Sequence, residues 1–213
     1  VRTLYIQPTH LICGEEYHAL SRKVAEKAGL FERVALGRPL LYDMDDCRRA
    51  AEALLEDFST EEGEALVFMG HGTEHEANAS YAKLQDAFHA AGKTNYLVGT
   101  VEATPSLNDI LSAVQAGDYT KVVLQPLMVV AGDHANNDMA GDEPDSWKST
   151  FAAAGYEVEP VLQGMGEIAD AAECARIASL GIDFLAAGIG NIHGVYPANW
   201  KGLDFEALDR IHK

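Results

Sequence analysis

The chain has 213 residues, 47% of them hydrophobic, and a formal net charge of -17 from 33 acids against 16 bases. That length and hydrophobic share sustain one large domain or two small ones with a real core. The surplus of acid excludes nucleic-acid binding and adhesion to anionic membranes, both of which need a cationic surface. Cys13, Cys47 and Cys174 are widely spaced, odd in number and form no CxxC pair, so no disulfide framework is expected and a reducing, cytoplasmic setting fits. No apolar run approaches the roughly 18 residues of a membrane span. The opening VRTLYIQPTH lacks the apolar core of a signal peptide and an initiator Met, as expected of a mature form or a fragment.

Short β-rich runs alternate with helical ones along the chain. Leu4 to Leu11 reads as a first strand, and Glu15 to Ala28 as a helix ended by Gly29. Arg33 to Leu41 is the second strand and Asp45 to Phe58 the second helix, with Asp45 and Asp46 where the helix dipole favours negative charge. Ser59 to Glu64, polar and acidic, reads as a linker. Ala65 to Met69 is the third strand, Glu76 to Ala91 a helix before Gly92, and Tyr96 to Val101 the fourth strand. Pro105-Ser106 opens a helix towards Gln115, and Lys121 to Val130 is the fifth and most apolar strand. A long loop, Gly132 to Asp145, leads to a helix at Trp147 to Ala154 and a sixth strand at Glu157 to Leu162. Ala169 to Ser179 reads as helix, Ile182 to Ala187 as the seventh strand, and Phe205 to Ile211 as the last helix. Such βα repetition forces parallel strands with crossover helices, in one doubly wound sheet or two. An eight-unit barrel would be one unit short.

Parallel strands all end at one edge, so residues just past those ends gather in one crevice. His71 follows the third strand, Glu102 the fourth, and Asp133 and His134 the fifth. Gly70 and Gly72 let the backbone turn sharply around His71. Two imidazoles and a carboxylate suit a divalent transition metal. They equally suit proton removal near neutral pH. His75, four residues after His71, is a weaker candidate because that spacing signals a metal only within a helix. Asp142, Glu143 and Asp145 read as a solvated lid, since the spacing of an EF-hand is absent. His10, Glu15, Glu16 and His18 either line a facing pocket or mark a solvated helix start.

The stretches VFMGHGTEHEANASYAKL, VGTVEATPSLNDIL and LQPLMVVAGDHANNDMAGDEPDSWKSTFAAAGYEVEPVLQGMGE resemble the anaerobic sirohydrochlorin cobaltochelatases, of the class II chelatase type, from about Leu4 to Glu167. The resemblance implies two flavodoxin-like α/β lobes with a tetrapyrrole between them, and it places the family's metal-binding His, Glu and His on His71, Glu102 and His134. It implies Co2+ as a substrate metal, with Zn2+ or Ni2+ as surrogates, and no permanent cofactor. The opening βα portion of that family has no counterpart here, so residues 1–60 read as a partial N-terminal lobe and 65–167 as the C-terminal lobe.

From about Ile168 the likeness changes. DAAECARIASLGIDFLAAGIGNIHGVYPANWKGLDFEALDRI resembles the class II fructose-bisphosphate aldolases, where it is one αβα piece of a TIM barrel. Its GNIHGVY motif places an aldolase zinc-ligand His on His193, and Gly194 near a substrate phosphate. The other aldolase ligands and the catalytic acid have no counterpart, and a single ligand does not hold zinc tightly, so aldolase activity is not expected. Residues 168–213 thus read as a fragment that completes the fold with a strand and a helix, the alternative being TIM-barrel-like closure. The whole reads as an engineered fold chimera with an inherited metal site and little or no turnover. An active cobaltochelatase and a non-catalytic metal or tetrapyrrole binder stand as alternatives. Arg38 and Lys148 are the cations expected near tetrapyrrole carboxylates, and the open edge of a partial sheet leads us to expect a homodimer or strand-swapped dimer.

Overall fold

The computed structural model describes residues 2–165 and 205–212, and six parallel strands in two sheets are found among them. One sheet pairs β1 (Thr3–Ile6) with β2 (Arg33–Leu36). The other is ordered β4 (Tyr96–Thr100), β3 (Glu64–Gly70), β5 (Lys121–Pro126), β6 (Glu157–Pro160). The helices are α1 (Glu15–Lys27), α2 (Met44–Asp57), α3 (Ala79–Ala90), α4 (Leu107–Gln115), α5 (Trp147–Ala153) and α6 (Phe205–His212).

The layering follows from the two-residue period of β3. Leu66 and Phe68 point to one face, where they join Tyr81, Leu84 and Phe88 of α3 and Cys47 and Leu54 of α2. Ala65, Val67 and Met69 point to the other, against Ile110 and Val114 of α4 and Trp147 and Phe151 of α5. A central parallel strand covered by helices on both faces must be apolar throughout, and β3 is. The result is the three-layer, flavodoxin-like α/β arrangement, and no closed barrel occurs among the described residues.

Several boundaries differ from the sequence reading. The first strand stops at Ile6, before Pro8, and the second at Leu36, before Pro39. The fifth stops at Pro126 rather than Val130, since proline has no N–H for the ladder. The helix expected from Glu76 starts as a 3-10 turn, Glu76–Asn78, and becomes α-helical only at Ala79. The loop after β5 contains a π-helical turn, Ala135–Met139. β1 and β2 form their own sheet, while α2 packs beside α3 on the larger one. The helix expected at 169–179, the strand at 182–187, Cys174, His193 and Gly194 lie outside the described residues. No described helix is long and apolar enough to cross a membrane.

Candidate metal centre

In the order β4-β3-β5-β6 the chain leaves β3 for one neighbour and returns for the other, so connections diverge at the carboxyl end of β3. A crevice opens at such a switch point. His71 is the first residue after β3. The ladder continues past the strands, with Val101 N–H on the Gly70 carbonyl (3.0 Å) and Glu102 N–H on the His71 carbonyl (2.9 Å). This seats the Glu102 carboxylate beside the His71 ring. The two flanking glycines serve different purposes. Gly72 holds a positive φ of 83°, and a Cβ there would lie 2.8 Å from Thr100 Cβ and 2.9 Å from Ala103 N. At Gly70 a Cβ would fall 2.3 Å from the Tyr81 ring, whose hydroxyl accepts the Gly72 N–H at 3.4 Å.

His134 precedes the π-helical turn after β5. Its ring meets that of His71 edge to face, with centroids 4.5 Å apart. His71 Nδ1 is 3.4 Å from Glu102 Oε2 and 3.1 Å from the Gly72 carbonyl. One ligand atom from each of His71, Glu102 and His134 lies within 4.8 Å of the others. Two ligand atoms on one tetrahedral ion with bonds of about 2.1 Å stand about 3.4 Å apart. His71 Nδ1 and Glu102 Oε2 stand at about that separation. Both side chains are about half exposed, which leaves room for water or a substrate on the open side. Nitrogen and oxygen donors of this kind suit Co2+, Zn2+ or Ni2+.

The other singled-out residues sit elsewhere. His75 Nδ1 accepts the Ala77 N–H at 3.1 Å and caps the 3-10 turn. Its Nε2 is 3.9 Å from Glu15, and its ring is 5.7 Å from that of His18. His75 and His18 line a separate cavity of about 400 Å3 with Cys13 and Lys83. Glu16 is exposed in the first turn of α1. His10 lines a cleft of about 830 Å3 with Arg38, Leu40 and Val129. Arg38 bonds Asp43 at 3.0 Å and lies over the Tyr42 ring. Lys148 is 2.6 Å from Asp142, which neutralises a cation expected to face carboxylates. Asp142, Glu143 and Asp145 are exposed. Asp133 accepts the Asn137 side-chain amide at 2.8 Å. Sequence reasoning missed Asp138, whose Oδ2 lies 2.6 Å from His134 Nδ1. An acid four residues after a candidate ligand His was the available signal.

Comparison with known proteins follows the same residues. The family described as Cobalt chelatase (CbiK) matches residues 1–177, and Fructose-bisphosphate aldolase class-II matches residues 153–213. The Sirohydrochlorin cobaltochelatase of Salmonella typhimurium is 44% identical over 163 residues, covering 76% of this chain and 61% of that protein. The Sirohydrochlorin cobaltochelatase CbiKC of Nitratidesulfovibrio vulgaris is 39% identical over 166 residues, 76% of this chain and 58% of that protein. The Fructose-bisphosphate aldolase of Mycoplasma genitalium is 62% identical over 59 residues, 28% of this chain and 20% of that protein. The chain thus spans about three fifths of the length of the two chelatases.

Proposed function

Because the chain belongs to the cobalt chelatase family, which matches residues 1–177, we propose that His71, Glu102 and His134 hold Co2+ as the metal for insertion into a sirohydrochlorin-type tetrapyrrole. The observation that carries this reading is the meeting of three ligand atoms, from three successive strand ends, within 4.8 Å. Insertion requires that the metal lose water, that two pyrrole protons leave, and that the macrocycle lie over the ion. The imidazoles of His71 and His134 replace water through neutral nitrogens. Glu102 completes the site or accepts a pyrrole proton.

The same reading treats the chain as an engineered fold chimera. Residues 1–60 stand for a partial N-terminal lobe, 65–167 for the C-terminal lobe, and 168–213 for the aldolase-like completion. The two family matches overlap at residues 153–177, a segment that includes β6, and a splice between two βα folds conserves strand direction. Little or no turnover is expected. The smaller sheet has two four-residue strands among the described residues, and α1 beside it buries no residue. Such a wall holds a macrocycle poorly. Its open edges favour pairing with a second copy, and mass measurement in solution separates monomer from dimer.

Calorimetric titration with Co2+ tests the site. Wild-type protein binds, and the His71→Ala, His134→Ala double variant does not; equal heats from both overturn the reading. Sirohydrochlorin then decides how much chemistry survives. Rapid spectral conversion to the cobalt complex would make this an active chelatase, and a band shift without metallation a tetrapyrrole binder.

A further inference from the structure

We infer that Asp138 is a positioning residue of this site: its carboxylate takes the Nδ1–H of His134 and so turns the Nε2 lone pair of that ring towards the metal. The inference rests on the metal-site reading above and deepens it by naming the group that selects the ligand's tautomer. A neutral imidazole carries one N–H and one lone pair, and an ionised carboxylate only accepts. Across 2.6 Å, the proton between His134 and Asp138 therefore sits on Nδ1, and Nε2 is the ligand atom. A carboxylate behind a ligating His also fixes the ring plane and raises ligand basicity.

The loop is built to hold this pair. Ala140 N–H reaches the Ala135 carbonyl at 3.1 Å, which closes the π-helical turn. Asn136 Nδ2 donates to the Ala131 carbonyl at 3.0 Å and the Gly132 carbonyl at 2.7 Å. Asn137 Nδ2 donates to Asp133. Gly141 N–H bonds the Asn137 carbonyl at 3.1 Å, an approach that a side chain forbids, since a Cβ there would lie 2.2 Å from that oxygen. These bonds fix the backbone on which His134 and Asp138 stand. The two imidazoles are held unequally. His71 Nδ1 faces a carbonyl at 3.1 Å and the candidate ligand Glu102 at 3.4 Å, whereas His134 has a dedicated carboxylate.

The test reads the tautomer of the metal-free protein directly. Ring 15N NMR at mildly alkaline pH reports which His134 nitrogen is protonated in wild type, Asp138→Ala and Asp138→Asn. Wild type shows Nδ1–H. The alanine variant moves to Nε2–H, the form that free imidazole side chains favour in water. The asparagine variant no longer enforces Nδ1–H, because its side-chain NH2 can donate to the Nδ1 lone pair, and Nε2–H gains at the expense of Nδ1–H. Co2+ affinity falls roughly 10–100-fold in the alanine variant, and the asparagine variant falls as well. Identical tautomers in wild type and Asp138→Ala, or Nε2–H in wild type, overturn the inference. Tautomers that shift as stated in a protein that takes up no Co2+ uphold Asp138's hold on the ring and overturn the metal reading instead.

Discussion

His71 and His134, carried past the ends of β3 and β5, meet edge to face with ring centroids 4.5 Å apart. Adjacent strands bring them together, because β3 and β5 pair directly through registers such as Val67 with Leu124. The proposed metal site therefore depends on that pairing as much as on the three candidate ligands.

Removing a ligand weakens the site more than removing its support. His71→Ala or His134→Ala lowers Co2+ affinity by more than the roughly 10–100-fold typical of a lost supporting group. Glu102→Gln has a smaller effect, since an amide oxygen still donates but carries no charge. Affinity indifferent to these substitutions would dismiss the residues as ligands.

Gly72→Ala couples stability to the site. It places a side chain at φ 83° and a Cβ 2.8 Å from Thr100. Strain of about 1–3 kcal/mol is expected from the backbone conformation, with a parallel loss of Co2+ affinity as His71 shifts. Urea unfolding and titration on one preparation check both. A variant as stable as the wild type would show that the turn relaxes freely.

Phe68 is fully buried, stacks on Phe88 at 5.4 Å and meets Phe58 edge to face at 5.7 Å. Phe68→Ala leaves a cavity in the layer between β3 and the α2/α3 pair. A loss of about 3–5 kcal/mol follows for a buried aromatic of this kind. A urea midpoint near the wild-type value would mean that the core collapses around the gap.

Stability should fall on the acid side. The Asp46 N–H, then Arg38, holds the Asp43 carboxyl below its ordinary value. The Glu61 N–H, then Lys121, does the same for Glu64. Ser106 lowers Asp109, and Lys148 lowers Asp142. Folded carboxyls of this kind bind fewer protons than unfolded ones, so their contribution is present above the ordinary carboxylate range and is lost as pH falls through the depressed values. Lys121, bonded to Glu159 and Glu64, is raised above the ordinary lysine value. Its contribution is present below that value and is lost as pH rises through the higher one. Chemical unfolding across pH 3 to 7 reads the acid limb, and Ser106→Ala should flatten part of it; a level profile contradicts the assignment.

Capping and turn residues made the elements legible. Asp43, Ser106 and Ser146 start α2, α4 and α5 with side-chain bonds to backbone N–H groups. Asp43 lies two residues before the expected start at Asp45, and the helix itself begins at Met44, because the cap is not helical. Strand ends were less legible where proline interrupts an apolar run, as at Pro126, since hydrophobicity continues after the ladder has stopped. The partners of Arg38 and Lys148 could not be read from composition, because which acids surround a cation depends on loop paths.

From its residues alone the chain specified a βα succession, an apolar central strand and three polar groups in the segments that follow successive strands, because side-chain period and chain direction are local properties. Strand order, the separate pairing of β1 with β2, the Tyr81 ring that leaves no room at Gly70 and the Asp138 carboxylate behind His134 were decided only by the tertiary structure. The first three arise from contacts between separate segments, which no local pattern encodes; the spacing of Asp138 four residues after His134 is visible in the sequence, but their 2.6 Å contact is fixed by the folded loop.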